Sequence, residues 1–211
     1  MMTEADIRRA VRAVLDAWEH DPETTVLLLG PVGSGKSLVA RSLAEALPDL
    51  DLEEWQEVMD TYVEAGILDP DQPDERHLVV QHRPPFRAPH YTVSAAGMIG
   101  VARKRMDGEW RVYPGEVTLA DHGVLVLDEA PEFLRAVLED VWQAHEAGSV
   151  QLSAGGQVVV LPARFRLLLS ANDCPCGGGS KCKCAKSSID RYLGRLTAER
   201  EHGLVVVRMG E

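Results

Sequence analysis

The stretch GPVGSGKS, Gly30–Ser37, constrains this chain more than any other. It fits the pattern G-x-x-x-x-G-K-[ST], and its flanks give the pattern meaning. The apolar run TTVLLLG (Thr24–Gly30) leads into it, and the helically periodic KSLVARSLAEAL leads out. A short continuous apolar run is what a parallel strand buried on both faces requires. A helix starting at Lys36 aims its unpaired N–H groups and positive dipole end at the turn. Strand, glycine turn and helix make a βα unit with an anion-binding corner. The expected nucleotide-contacting segment is Gly30, Pro31, Val32, Gly33, Ser34, Gly35, Lys36, Ser37 and Leu38. Lys36 is expected to reach the β and γ phosphates and Ser37 to ligate Mg²⁺.

VLVLDE (Val124–Glu129) reads as the matching half. Its apolar residues drive a strand through the core and leave two carboxylates at the C-terminal end, where open α/β sheets bind ligands. Standing alone, an acidic pair after a strand is a solvated turn. Downstream of a phosphate loop, Asp128 is expected to hold Mg²⁺ through water and Glu129 to orient and polarise an attacking water. Asn172 closes the strand RLLLSAN, where its amide could meet a γ-phosphate or that water, or simply make a turn.

Around these motifs the periods alternate. Ile7, Val11, Val14 and Leu15 mark an amphipathic helix in residues 1–21, and LEEWQEVMDTYVEAGIL (Leu52–Leu68) marks another. HRPPFRAPHYTVSAAGMIG fits neither period, so residues 76–100 read as an insertion or functional loop. Pro131–Ala147 is helical, and SVQLSAGGQVVVLPA alternates on both sides of Gly155-Gly156, predicting a hairpin over residues 149–162. GLVVVRM is a last strand. Buried strands alternating with helices predict one α/β domain over residues 1–211, with a mostly parallel sheet between helical layers.

Lys plus Arg number 22 and Asp plus Glu 33, a net charge of −11, which argues against a chain that coats nucleic acid nonspecifically. No apolar run approaches a membrane span and the N-terminus lacks a signal-peptide core, so the chain reads as cytoplasmic. Thiols there stay reduced. That bears on NDCPCGGGSKCKC, Asn172–Cys184, which holds all four cysteines. Cys174-x-Cys176 and Cys182-x-Cys184 offer four soft ligands to one tetrahedral Zn²⁺, with no open position for catalysis. The plainer alternative is four reduced thiols in a surface loop; a Cys-x-x-Cys redox pair is absent. Residues 172–186 are thus a cysteine loop. Lys181 and Lys183 would offset part of a metal site's negative charge. His90 reads as a packing or loop hydrogen-bonding residue. Arg103-Lys104-Arg105 reads as a solvated face, or as a contact to a phosphate backbone or a neighbouring subunit. Trp18, Trp55, Trp110 and Trp142 read as packing.

Taken in order, these motifs resemble those of AAA+ P-loop ATPases, and more narrowly the magnesium-chelatase subunit I-like branch that contains the ComM and YifB proteins. The narrower resemblance rests on RPPFRAPHYTVS, PGEVTLADHGVLVLDEAPEF, GSVQLSAGGQVVVLPARF and ANDCPCGG followed by a second Cys-x-Cys. It implies a three-layer sandwich on a five-stranded sheet, ATP and Mg²⁺ as ligands, and Asn172 as the residue sensing the γ-phosphate. It also implies a homo-oligomeric ring, such as a hexamer, with the Gly155-Gly156 tip facing the pore and DNA as the substrate. An arginine from the adjacent subunit would complete each site. The family's Leu-Leu-Asp-Arg block is here TAEREHGLVVV, which makes Arg200 the nearest equivalent if three residues are deleted, with Arg191 and Arg195 as rivals. Neither a Lon-like segment nor a helical lid can be read in the sequence. The rival expectations are a nucleotide-binding assembly module served by a partner protein, and the motor of a metal-insertion chelatase.

Overall fold

The computed structural model describes residues 3–69, 82–178, 182–196 and 203–210. Helix α1 (Glu4–His20) starts in a capping box, Thr3 accepting from Asp6 N while the Asp6 carboxylate accepts from Thr3 N. Its buried stripe is Ala10, Val14 and Trp18, four residues apart, as one helical face requires. Strand β1 (Thr25–Leu29) is buried throughout and feeds the phosphate loop and α2 (Lys36–Ala46). Helix α3 (Leu52–Glu64), boxed by Asp51 and Glu54, ends four residues earlier than the sequence suggests, and the chain turns at Gly66 with φ 71°.

Next come β2 (Phe86–Arg87), α4 (Ala95–Ile99), β3 (Gly100–Lys104), β4 (Trp110–Pro114), α5 (Glu116–Leu119) and β5 (Val124–Leu127). A 3-10 turn (Ala130–Glu132) precedes α6 (Arg135–Ala147), so the expected helix from Pro131 is broken at its start. The hairpin β6 (Ser149–Ala154) and β7 (Gln157–Pro162), β8 (Arg166–Ala171), α7 (Lys186–Leu193) and β9 (Leu204–Arg208) complete the chain.

Five strands form the central sheet in the order β2-β5-β8-β1-β9, and every neighbouring pair is parallel. Successive side chains of a strand point to opposite faces, and the core divides accordingly. Leu27, Leu29, Leu125, Leu127, Leu167 and Leu169 pack with Phe133, Val137 and Val141 below α6. Val26, Leu28, Val124, Val126 and Leu168 pack with Val14 and Trp18 of α1 and Val39 and Leu43 of α2. Each fully buried leucine of this kind contributes about 1.5–3 kcal/mol. The result is the three-layer sandwich.

The stretch read as an insertion or functional loop contributes a strand to the central sheet. Phe86 and Arg87 pair in parallel with Val124 and Leu125 as the sheet's edge strand. Pro84 and Pro85 precede it and Pro89 follows it, a composition that an edge tolerates because a proline cannot donate to a ladder. Arg87 anchors this edge by a two-pronged pair with Glu116 of α5, Nε to Oε2 at 2.7 Å and an amino group to Oε1 at 2.9 Å. Residues 76–81 lie outside the described residues.

At the sheet's other end, buried Asp121 receives Arg164 through its backbone N–H (2.7 Å) and guanidinium (3.2 and 2.8 Å). Arg164 and His122 both hold Glu57, His122 at 2.8 Å, tying α3 to the starts of β5 and β8. Nothing in the sequence marks this brace. Hairpin β3–β4, also unmarked, packs beside β6–β7. The Trp110 indole covers Gly155 so closely that a Cβ there would lie 2.5 Å from Nε1. Among the described residues, no helix is long and apolar enough to cross a membrane.

Candidate functional site

Because the sheet is parallel, the C-terminal ends of β1, β5 and β8 open on one edge, and the chemistry-bearing residues follow those ends. Gly30 leaves β1 pressed against β9; a Cβ there would lie 2.5 Å from Met209 O and 2.9 Å from its Cβ, so the loop can pass only as glycine. Gly33 and Gly35 take φ of 78° and 82°, turning the backbone into α2. The N–H groups of Lys36 and Ser37 open that helix and have no partner within it. Val32 and Leu38 are exposed at the mouth.

Lys36 lies almost wholly inside, its Nζ donating to Gly30 O (2.8 Å), Pro31 O (3.0 Å) and Asn172 Oδ1 (3.1 Å). Burial lowers its pKa from the ordinary lysine value, an effect partly offset by the carboxylates of Asp128, Asp173 and Glu129. Ser37 Oγ donates to Asp128 Oδ2 at 2.9 Å. Two hard oxygen donors side by side at a phosphate loop fit a shared Mg²⁺. The structure thus brings together Lys36, Ser37, Asp128, Glu129 and Asn172 from three strands.

Ser170 was not foreseen. Buried on β8, its hydroxyl donates to Asp128 Oδ1 and accepts the Glu129 N–H at 3.1 Å. Glu129 needs that hold because it sits in the left-handed region, φ 54° and ψ 45°, where a non-glycine residue is strained. Ser37, Asp128, Glu129, Phe86, His90 and Tyr91 line an adjoining cavity of about 300 Å³. His90 stacks against Tyr91 and pairs with Thr92 Oγ1 at 2.9 Å within its own loop.

Of the three candidate arginines, Arg195 is committed within its own chain, donating to Pro131 O and, at 3.0 Å, to Phe133 O. Arg191 lines a surface cavity of about 310 Å³ between α6 and α7, beside Arg135 and Trp142. Arg200 lies outside the described residues, as does Lys181.

The four cysteines form no disulfide, and their sulfurs lie within 4.8 Å of one another. Cys174 Sγ is 3.1 Å from that of Cys176 and 3.2 Å from that of Cys182. Bonds among the thiols split their acidities: that from Cys174 leads in lowering Cys176 to about 7, and that to Cys176 leads in raising Cys174 to about 12. Four converging sulfurs can hold one soft metal ion.

Fold and site together define a P-loop nucleotide-binding domain of the AAA+ kind. The family model described as magnesium chelatase, subunit ChlI, matches residues 8–200, and the chain belongs to that family. The chain is 37% identical over 174 residues to protein YifB of Salmonella typhimurium, covering 82% of this chain and 32% of that one. With competence protein ComM of Haemophilus influenzae it shares 35% identity over 175 residues, 82% of this chain and 31% of that one. Similarity extends to the DNA replication licensing factor Mcm2 of Drosophila melanogaster, 27% over 187 residues, 84% of this chain and 20% of that one. The chain therefore spans about a third of the length of YifB and ComM.

Proposed function

We propose that the chain is the ATP-binding and ATP-hydrolysing core of a cytoplasmic, homo-oligomeric machine that acts on DNA. The observation that carries this reading is the convergence of Lys36, Ser37, Asp128, Glu129 and Asn172 on one sheet edge. The loop from Gly30 to Leu38 wraps the phosphates, and Lys36 exchanges its carbonyl and amide partners for phosphate oxygens. Ser37 and Asp128 hold Mg²⁺, which supplies neutralising charge and a fixed orientation for the phosphates. Glu129, aimed by Ser170, takes the hydrogen bond of the attacking water and polarises it. Asn172, already bonded to Lys36, is placed to report the γ-phosphate. DNA as the object of the work is supported by similarity to a competence protein, ComM, and to a DNA replication licensing factor, Mcm2.

Zn²⁺ held by Cys174, Cys176, Cys182 and Cys184 is the structural metal in this reading. A second reading, a nucleotide-binding assembly module with little hydrolysis of its own, is favoured by one observation: Arg195 is spent on main-chain carbonyls rather than free for a neighbour's site. The Glu129→Gln variant separates the two. It is expected to bind ATP as the parent does, measured with a fluorescent nucleotide, while turnover is lost. A parent that already shows no turnover, alone or with DNA, would establish the second reading.

A further inference from the structure

The cysteine loop is fastened to the phosphate loop. Val32 donates its N–H to Gly177 O at 2.9 Å, and Gly177 donates its own to Cys174 O at 3.0 Å, so two hydrogen bonds connect the thiol cluster to the segment expected to wrap the phosphates. The approach is close enough to demand glycine. Gly177 has φ 94° and a Cβ there would lie 2.8 Å from Val32 Cγ2; Gly178 has φ 81° and its Cβ would lie 3.4 Å from Pro31 Cα. Beyond Cys184 the chain enters α7, where Tyr192 lies close to Asn172, and then reaches Arg195, which holds the peptides just after Glu129. One segment thus touches the phosphate loop, Asn172 and the Glu129 turn.

From Asp173 to Ala185 no described residue is in a helix or strand, so the described part of this segment is ordered by isolated hydrogen bonds such as those of Gly177 and by whatever draws the thiols together. Tetrahedral Zn²⁺ with Zn–S near 2.3 Å places sulfurs about 3.8 Å apart. The observed spacings of 3.1, 3.2 and 3.6 Å reach that value with an expansion of less than about 1 Å. We infer that Zn²⁺ on these four thiolates holds the phosphate loop in its binding shape, so that nucleotide affinity depends on the metal. This rests on the nucleotide-binding reading above. A phosphate loop released from Gly177 must be ordered at the moment of binding, and that entropy is subtracted from affinity. The coupling is reciprocal: nucleotide must tighten zinc by the same factor that zinc tightens nucleotide.

The test uses the 211-residue chain kept under reducing conditions, stripped of metal with a chelator, and a fluorescent ATP analogue at saturating Mg²⁺. Stripping is expected to weaken nucleotide binding about tenfold, and one equivalent of Zn²⁺ per chain to restore it. Zinc affinity, measured by competition with a chromogenic chelator, should rise about tenfold when ATP is present. Folded stripped and zinc-loaded proteins that bind nucleotide equally would overturn the coupling. A chain that takes up no zinc would overturn the metal while leaving the nucleotide reading intact. Failure of every form to bind nucleotide would instead sink that reading and the inference with it. Should the stripped protein unfold, Gly177→Ala decides: it keeps all four thiols, is expected to retain one zinc, and should lose nucleotide affinity by a similar factor. Full affinity in that zinc-loaded variant would overturn the proposal.

Discussion

Ser170→Ala removes one buried oxygen from β8 and nothing else. In the parent that oxygen donates to Asp128 Oδ1 and accepts from Glu129 N at 3.1 Å. In the variant Glu129 N–H keeps only its bond to Asp128 Oδ1, at a long 3.2 Å. A hydrogen bond to a charged group contributes about 1.5–3 kcal/mol, and the residue it steadies occupies a backbone region costing about 1–3 kcal/mol. If most of the loss falls on the geometry reached in the transition state, about 1.36 kcal/mol per decade converts it to a fall in kcat of about tenfold to a hundredfold. Ser170 is not among the partners of Lys36, which are Gly30, Pro31 and Asn172, so KM at saturating Mg²⁺ should move by less than about threefold. Steady-state ATPase kinetics with a parallel thermal melt reads both quantities. The double variant Ser170→Ala/Glu129→Gln should fall well short of the product of the two single losses, because the part of the serine's effect carried by Glu129 is already disabled. Unchanged kcat, a rise in KM alone, or additive losses would each refute this role for Ser170.

Three further perturbations follow from the same geometry. Gly30→Ala pushes a Cβ onto Met209 O, and backbone-against-backbone overpacking of this kind costs about 1–3 kcal/mol; the melting temperature should fall by several degrees, and an unchanged melt would mean β9 can shift freely. Lys36 holds its proton less tightly folded than unfolded because it is buried, so its charge opposes folding at neutral pH. Lys36→Met should therefore leave the nucleotide-free melt unchanged or raised while abolishing the rise that ATP with Mg²⁺ gives the parent; a lower nucleotide-free melt would contradict this. Glu57 is held below its ordinary value of 4.5, first by the His122 hydrogen bond and then by Arg164. Its stabilising effect is present above the unfolded value and lost as pH falls through the lower folded one. The gap in melting temperature between the parent and Glu57→Gln should therefore be wide at pH 7 and shrink below about pH 4.5; a gap independent of pH would refute the assignment.

The phosphate loop and the Asp128-Glu129 strand end were legible because their chemistry fixes residue types at fixed spacing within one continuous segment. Hairpin β6–β7 was legible for a local reason too: two glycines at the tip, φ 61° and 86°, between alternating runs. Strand β2 was not, since two residues cannot display a period and its identity lies wholly in pairing with Val124 and Leu125. Hairpin β3–β4 escaped because most of its side chains are exposed or half-exposed, and alternation is written into a sequence by a buried face. Ser170 reads as one more small residue in an apolar strand. Its role exists only because β8 runs beside β5 in parallel, with Leu127 opposite Leu169, which sets Ser170 beside Asp128. Arg195 likewise gains its meaning from carbonyls 62 and 64 residues away in sequence.

That division has a consequence for the charge of the site. The residues that were legible include one lysine and two carboxylates; the fold adds Asp173, whose field also reaches Lys36. Arg41 lines the cavity beside Asp128 and Glu129, and Arg208 lines the one beside Asp173, so the edge at which the proposed nucleotide would arrive carries charges of both signs. Lys36 is the buried cation among them, and burial works against its charge. Two further sources of positive potential are available: the opening turn of α2, equivalent to about half a unit charge, and a divalent cation between Ser37 and Asp128. A divalent cation held there would favour the nucleotide as its Mg²⁺ complex over the free anion, tying recognition of the phosphates to the metal that would assist their transfer.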